Sequence, residues 1–162
     1  MAFGALSVKG RALRCLAQRE HSRAELERKL ARHVQDRPEA SAQAQIAAAL
    51  DDLAAHGLQS DARAAASTLA GAGQRLGLPR LKHTLQGKGL APELVADTLQ
   101  AARATELERA REVWRRRYGQ PPADAAERAR QMRFLLGRGF EGETIRRVIG
   151  ADARDDHTRD DD

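Results

Sequence analysis

Lysine and arginine side chains gather in three stretches of the chain, and they carry the chemistry that the sequence displays most clearly. Their ammonium and guanidinium groups bind phosphate and carboxylate oxygens through charge-assisted hydrogen bonds. The residues concerned are Arg23, Arg28, Lys29, Arg80, Lys82, Lys88, Arg130, Arg133, Arg138, Arg146 and Arg147. For any single one of them a solvated helix face is the simpler interpretation. Their recurrence favours a basic surface that binds nucleic acid or an acidic protein.

The charge balance agrees with such a partner without demanding one. The chain has 28 Lys and Arg against 23 Asp and Glu, a net charge of +5. From Asp152 onward it holds six aspartates and two arginines, so the residues before Asp152 carry an excess of nine positive charges. Such an excess suits nucleic acid or an acidic protein surface, although many proteins without such a partner carry a similar one.

Motifs that would support catalysis or hold a cofactor are missing from the sequence. There is no Gly-x-x-x-x-Gly-Lys-Ser/Thr phosphate loop and no His-Glu-x-x-His zinc motif. The five histidines are scattered near predicted helix ends or on polar faces, without the close pairs that a structural metal site needs. Cys15 stands between leucines of a helical pattern, which favours a buried thiol over a nucleophile. We therefore expect no enzymatic activity, no cofactor and no metal.

The sequence also bears on location and assembly. No apolar run approaches the length of a membrane span, and the N-terminal residues lack the apolar core of a signal peptide. We therefore expect a cytoplasmic protein. Nothing in the sequence demands a dimer, so a monomer is expected.

The stretch from Arg130 to Gly150 predicts a helix, a tight turn and a second helix. Its apolar residues recur at three- and four-residue spacing, as on the buried face of a helix. They are Met132, Leu135 and Leu136 before the turn, and Ile145, Val148 and Ile149 after it. The turn is Gly137-Arg138-Gly139, because glycine adopts the left-handed conformation that ends helices at little steric cost. Phe140 is placed to fold back onto the first helix.

A second copy of this pattern lies fifty residues earlier in the chain. The turn Gly87-Lys88-Gly89 corresponds to Gly137-Arg138-Gly139, and Val95 and Leu99 correspond to Ile145 and Ile149. A looser third copy uses Leu26, Leu30, Ile46 and Leu50, with a longer connection over residues 33–40. Self-similarity at a fixed period is typical of repeat proteins.

The sequence therefore predicts an all-α protein of three tandem helical repeats. The predicted bounds are a flexible N-terminus over 1–9, repeats over 10–58, 59–104 and 105–150, and a disordered acidic tail over 151–162. Stacked repeats bring equivalent positions into a row, so the cations would form one basic stripe.

Some predictions concern single residues. Ala12, Leu13, Leu16 and Ala17 are expected to face inward from the first helix. Two capping boxes are predicted, one from Ser22 and Glu25 and one from Thr105 and Glu108. Trp114 and Tyr118 could stack on nucleotide bases, but their helical spacing beside Val113 favours the core.

Three motifs resemble those of one protein family. The stretch 19–30 (Arg-Glu-His-Ser-Arg-Ala-Glu-Leu-Glu-Arg-Lys-Leu) is similar to the N-terminal motif of the RecX family, which regulates the RecA recombinase. Residues 77–81 (Gly-Leu-Pro-Arg-Leu), with Leu85 and 87–90 (Gly-Lys-Gly-Leu), resemble its central motif. Residues 133–135, 138–140 and Ile145 resemble its C-terminal motif. The resemblance spans roughly Leu13 to Ile149.

The resemblance implies three tandem three-helix repeats in an elongated, curved array. It also implies binding in the groove of the filament that RecA forms on single-stranded DNA, which would limit filament extension or promote disassembly. ATP hydrolysis, strand exchange and co-protease activity of RecA would fall as a result, affecting recombination and the SOS response. Single-stranded DNA, and for some members duplex DNA, is a further implied partner.

Two other functions stay open at this point. A helical protein that binds DNA without sequence preference, through the phosphate backbone alone, would need only the basic residues. An enzyme is the third possibility, but no set of residues in the sequence would carry its chemistry.

Overall fold

The computed structural model describes residues 6–155, and the side chains of residues 6–150. The described chain forms a succession of α-helices joined by short connections. They are α1 (Val8–Gln18), α2 (Arg23–Leu30), α3 (Ala42–Ala55), α4 (Asp61–Ala70), α5 (Leu78–Gly87), α6 (Pro92–Arg103), α7 (Glu106–Arg117), α8 (Ala125–Gly137) and α9 (Gly142–Asp155), with a 3₁₀ helix over Ala72–Arg75. Over residues 6–155 no strand is present, and the one β-bridge joins Arg37 to Ala40 within a connection. The all-α prediction is confirmed.

The helices group into two compact units. The first contains the described residues up to Ser67 together with Leu85–Leu94, and the second contains Thr68–Thr84 with the described residues from Val95 onward. The turn of the second predicted repeat thus packs with α1–α3, while the start of α5 packs with α7–α9. The predicted repeat bounds themselves stay a prediction.

The core of the first unit lies between α1, α2 and α3. Its buried residues are Ala12, Leu26, Leu30, Ile46, Leu50 and Leu53. Ser22 begins α2 with the predicted capping box, since its side chain accepts from the Glu25 amide and the Glu25 side chain accepts from the Ser22 amide. Burial of the leucines and this cap together fix the position of α2, which carries several of the predicted cations.

The core of the second unit lies between α7, α8 and α9. Its buried residues are Ala110, Trp114, Leu135, Phe140, Ile145, Val148 and Ile149. Trp114 is therefore a core residue, as its spacing predicted, and its Nε1 donates to Oε1 of buried Gln131 at 2.7 Å. Phe140 folds back as predicted, and its amide donates to the carbonyl of Leu135 at 3.2 Å. The preceding Gly139 has a φ of 86°, the left-handed conformation expected at this turn.

Several positions correct the sequence-based predictions. Leu13, Ala17 and Leu136 are exposed, although their spacing placed them on buried helix faces. His21 lies near a helix end, between α1 and α2, as predicted, and it is buried there. Thr105 does not form a capping box, since its backbone has no extended conformation and its hydroxyl donates to the carbonyl of Ala102 at 3.3 Å. The helix α9 continues to Asp155, five residues past the predicted end. The remaining tail and residues 1–5 lie outside the described residues.

Candidate functional site

The turn Gly87-Lys88-Gly89 packs along α2. Arg28 donates from Nη2 to the carbonyl of Gly87 at 3.0 Å, and the Ser22 hydroxyl donates to the carbonyl of Lys88. A Cβ on Gly89, whose φ is 68°, would lie 2.5 Å from the Cβ of Ala24. We call this arrangement the first turn contact. It holds the turn through backbone carbonyls and admits no side chain at its last residue.

An ion pair closes the first turn contact. Lys88 Nζ lies 3.1 Å from Oε1 of Glu25, and Arg19 Nη2 lies 2.9 Å from the same oxygen. Partial burial raises the pKa of Glu25, but hydrogen bonds from Arg19, the Ser22 amide and Lys88 outweigh it and lower the pKa to about 2. Glu25 is therefore ionised, and it neutralises part of the charge that Lys88 brings to the surface.

The turn Gly137-Arg138-Gly139 packs in the same way against the start of α5. Arg80 donates from Nη1 to the carbonyl of Gly137, and the Gly77 amide donates to the carbonyl of Arg138 at 3.0 Å. A Cβ on Gly77 would overlap the carbonyl of Gly139, and a Cβ on Gly139 would lie 2.5 Å from Cγ of Arg80. We call this arrangement the second turn contact. In both contacts, two successive carbonyls of a Gly-cation-Gly turn accept hydrogen bonds, one from an arginine of an earlier helix and one from the residue that precedes that helix.

Several of the predicted binding cations therefore have a structural task. Arg28 and Lys88 hold the first turn contact, and Arg80 holds the second. Arg138 lies with its Cζ 5.4 Å from the centroid of the Phe134 ring. A sequence pattern shows that a cation recurs beside a glycine turn, but it does not show which carbonyl or carboxylate the side chain reaches.

The other predicted cations divide by their partners. Arg23 is bound to Glu27 and Asp51, at 3.0 and 2.7 Å, and Arg130 to Glu127 at 3.0 Å. The remaining side chains are exposed and form no ion pair with a described carboxylate; they are Lys29, Lys82, Arg133, Arg146 and Arg147. These exposed cations are the ones free to meet a partner. That all the predicted cations align in a single stripe stays a prediction.

A cationic groove that the prediction missed lies in the second unit. It has a volume of about 1560 Å³ and runs along α7 beside the 3₁₀ helix. Its arginines are Arg75, Arg109, Arg111, Arg115, Arg116, Arg117 and Arg138. Of these only Arg138 was among the predicted binding residues. Arg115–Arg117 were interpreted as cations that favour a helix C-terminus, and nothing in the sequence places Arg75 beside them.

Arg109 forms the floor of this groove, which we call the arginine groove. Its side chain is buried, and it donates to the carbonyls of Gly73 at 2.8 Å and Ala102 at 2.9 Å, and also to Leu76. Burial lowers the pKa of Arg109, and the charge of Glu106 opposes that shift. Arg109 thus ties the 3₁₀ helix to α7, which sets Arg75 on the rim of the groove.

The sequence matches known proteins over nearly its whole length. It is 54% identical over 153 residues to a regulatory protein RecX of Leptothrix cholodnii, covering 94% of each chain. The chain belongs to the RecX family. The regulatory proteins RecX of Ralstonia nicotianae and Chromobacterium violaceum are 43% and 40% identical, covering 91% and 99% of this chain and 90% and 100% of theirs. A family model described as the RecX third three-helix domain matches residues 104–149.

Solved RecX structures share the fold. The crystal structure of RecX from Lactobacillus salivarius superposes with a TM-score of 0.67 at 20% identity, covering 91% of this chain and 95% of that one. A second RecX crystal structure gives a TM-score of 0.64, again at 20% identity, over 89% of this chain and 71% of that one. The prediction of three-helix repeats is confirmed.

In this RecX-family chain, no helix of the described part is long and apolar enough to cross a membrane.

Proposed function

We propose that this chain is a negative regulator of the RecA recombinase. It binds the filament that RecA forms on single-stranded DNA, limits its extension or promotes its disassembly, and thereby inhibits ATP hydrolysis, strand exchange and co-protease activity. It acts in the cytoplasm, as a monomer and without catalysis of its own. The observation that carries the proposal is the 54% identity to a regulatory protein RecX over 94% of both chains.

The exposed cations support contact with an anionic partner. Lys29, Lys82 and Arg146 project from three different helices, and none forms an ion pair with a described carboxylate. The formation of a new ion pair by such a side chain breaks no existing one, so these residues are favourable contact points for phosphates or acidic side chains. By contrast, Arg28, Arg80 and Lys88 already bond within the protein and contribute to the filament surface only indirectly.

The test is the ATPase activity of RecA on single-stranded DNA, titrated with this protein. Inhibition at a ratio far below one molecule per RecA protomer supports a filament regulator. Inhibition that begins only when the DNA itself is saturated would replace the proposal with the second candidate, a DNA-binding protein that competes for the phosphate backbone. The arginine groove is the observation that favours that candidate.

A matched pair of variants tests the exposed cations. The change Lys29→Ser, Lys82→Ser, Arg146→Ser removes three free cations, and Arg14→Ser, Arg103→Ser, Arg128→Ser removes the same charge elsewhere on the exposed surface. We expect the first variant to need about tenfold more protein for half-inhibition, and the control to behave like the unchanged protein. Equal inhibition by both variants would exclude these three cations from the filament contact.

A further inference from the structure

The residues that line the arginine groove carry a large excess of positive charge. Seven arginines and two glutamates line it, so its walls carry an excess of five positive charges. Only Arg109 among these arginines is buried, and it donates to backbone carbonyls and to the Thr105 hydroxyl. Arg111 and Arg138 are half-buried, and Arg75, Arg115, Arg116 and Arg117 are exposed. Bringing several like charges together is unfavourable unless an anion offsets their repulsion.

Internal ion pairs offset only part of this charge. Glu112 accepts hydrogen bonds from Arg116 at 2.6 Å and from Arg115 at 2.9 Å. The bond from Arg116 is the main cause that lowers the pKa of Glu112, and the charges of both arginines and the bond from Arg115 add to it. Arg75 and Arg111 form no ion pair with a described carboxylate. Both residues line the groove, Arg111 also borders a smaller pocket, and no described carboxylate neutralises either guanidinium group.

An aromatic side chain lies in the same groove. Phe134 lines it while half-buried, with Tyr118 packed edge-on against its ring at 5.5 Å between centroids. Arg138 lies near the same ring. Proteins bind unpaired nucleotides with this combination of an aromatic ring and several arginines. The arginines bind the phosphates, and a base stacks on the ring.

The size of the groove points to a polymer. Sites for small molecules occupy about 300–1,000 Å³ and are mostly apolar, whereas this groove has a volume of about 1560 Å³ and charged walls. Since duplex bases are stacked on each other and unavailable to Phe134, a single strand fits the aromatic wall better than a duplex does.

We propose that the arginine groove is a binding site for single-stranded nucleic acid, in which Arg75 and Arg111 contact the phosphate backbone and Phe134 stacks on an unpaired base. The inference rests on the proposed function, from which DNA is taken as the partner. It places the DNA contact on α7 and the 3₁₀ helix. The exposed cations Lys29, Lys82 and Arg146 are outside this groove.

The experiment measures binding of a fluorescent oligothymidylate by anisotropy, without RecA, over a series of salt concentrations. The double change Arg75→Ser, Arg111→Ser removes two phosphate contacts; Arg14→Ser, Arg128→Ser is the charge-matched control. We expect the groove variant to bind about tenfold more weakly at 0.1 M salt, and the slope of log affinity against log salt to fall by about 1.4. Equal binding by the groove variant and the control overturns the proposal.

Phe134→Leu tests the role of the aromatic ring. It removes the ring but keeps an apolar side chain packed against the core. We expect about fivefold weaker binding to the single strand and no change on a duplex of the same length. An equal loss on both, with the circular dichroism spectrum unchanged, would overturn the stacking role of Phe134.

The aspartate-rich C-terminal stretch is the other anion that could occupy the groove. Val148 of α9 borders a smaller pocket together with Arg111 and Arg115. In a chain that ends at Asp155, the groove variant must again bind the oligothymidylate about tenfold more weakly than the control. A loss seen only in that shortened chain would mean that the tail fills the groove, and would overturn the proposal. Because RecA is absent from these assays, a failure here leaves the RecA proposal to its own test.

Discussion

Lys88 Nζ lies 3.1 Å from Oε1 of Glu25, although 63 residues separate them in the sequence. The two side chains are 20% and 12% exposed, so the pair is shielded from most of the surrounding water. The same Glu25 caps α2 and accepts from Arg19. One carboxylate thus links a helix start, a preceding connection and a turn of the next predicted repeat.

Glu25 makes the stability of the protein depend on acid pH. Its pKa is about 2 in the folded protein, below its ordinary value of 4.5. The stabilisation is therefore complete above pH 4.5 and is lost as the pH falls toward 2, because the unfolded chain then binds the proton first. Glu25→Gln should cost on the order of 2–3 kcal/mol at pH 7 and flatten the pH dependence between 5 and 2.

Urea denaturation at several pH values measures this effect. Glu27→Gln is the matched control, because Glu27 is an exposed neighbour on the same helix that pairs only with Arg23. The assignment to Glu25 would be wrong if both glutamine variants kept the pH slope of the unchanged protein.

Lys88→Glu should destabilise the protein, since it places a carboxylate opposite Glu25 in the first turn contact. We expect a loss of about 2 kcal/mol in the free energy of unfolding. Lys29→Glu, on an exposed side chain of α2, should change it by no more than about 0.5 kcal/mol. Thermal unfolding of both variants decides the matter, and similar melting temperatures for the two would contradict a structural role for Lys88.

This prediction limits how the basic residues can be tested. A charge reversal at Lys88 that weakens RecA inhibition would mix lost binding with lost stability. Arg28 and Arg80 share the difficulty, since each donates to a turn carbonyl. Variants of the exposed cations avoid it, which is why the tests of function above use Lys29, Lys82 and Arg146.

Gly77→Ala should be strongly destabilising, because a Cβ there meets the backbone of Gly139 and Phe140, which cannot rotate away. A loss of about 3 kcal/mol or more is expected. Gly137→Ala is the control in the same turn contact, since its Cβ would meet nothing within 4 Å and its carbonyl would still accept from Arg80. Chemical denaturation should show it unchanged or slightly more stable; equal losses at both positions would refute the backbone clash.

The sequence was informative about the fold because the repeats reuse the same apolar positions. Leu30, Leu85 and Leu135 come shortly before the connection or glycine turn of their respective repeats, and all three are buried. Ile46, Val95 and Ile145 behave alike. Helical periodicity and glycine turns are local signals, so they can be recognised without knowledge of distant contacts.

The candidate site was harder to predict because it depends on contacts between distant residues. An arginine such as Arg109 is normally expected at the surface. Arg109 is buried, and the carbonyls of Gly73, Leu76 and Ala102 accept its hydrogen bonds. Gln131 is likewise buried beside Trp114. Periodicity records where apolar side chains recur, and it contains no information on which polar group will find a buried partner.

Gln131→Leu should destabilise the core of α7–α9, although it replaces a polar side chain by an apolar one. The change leaves the indole N–H of Trp114 buried without its acceptor at 2.7 Å, at a cost of about 1–3 kcal/mol. Adding Trp114→Phe removes the unpaired donor, so the double variant should be less destabilised than the sum of the single changes. Urea denaturation of the three variants gives this coupling free energy, and strict additivity would show that the hydrogen bond contributes nothing.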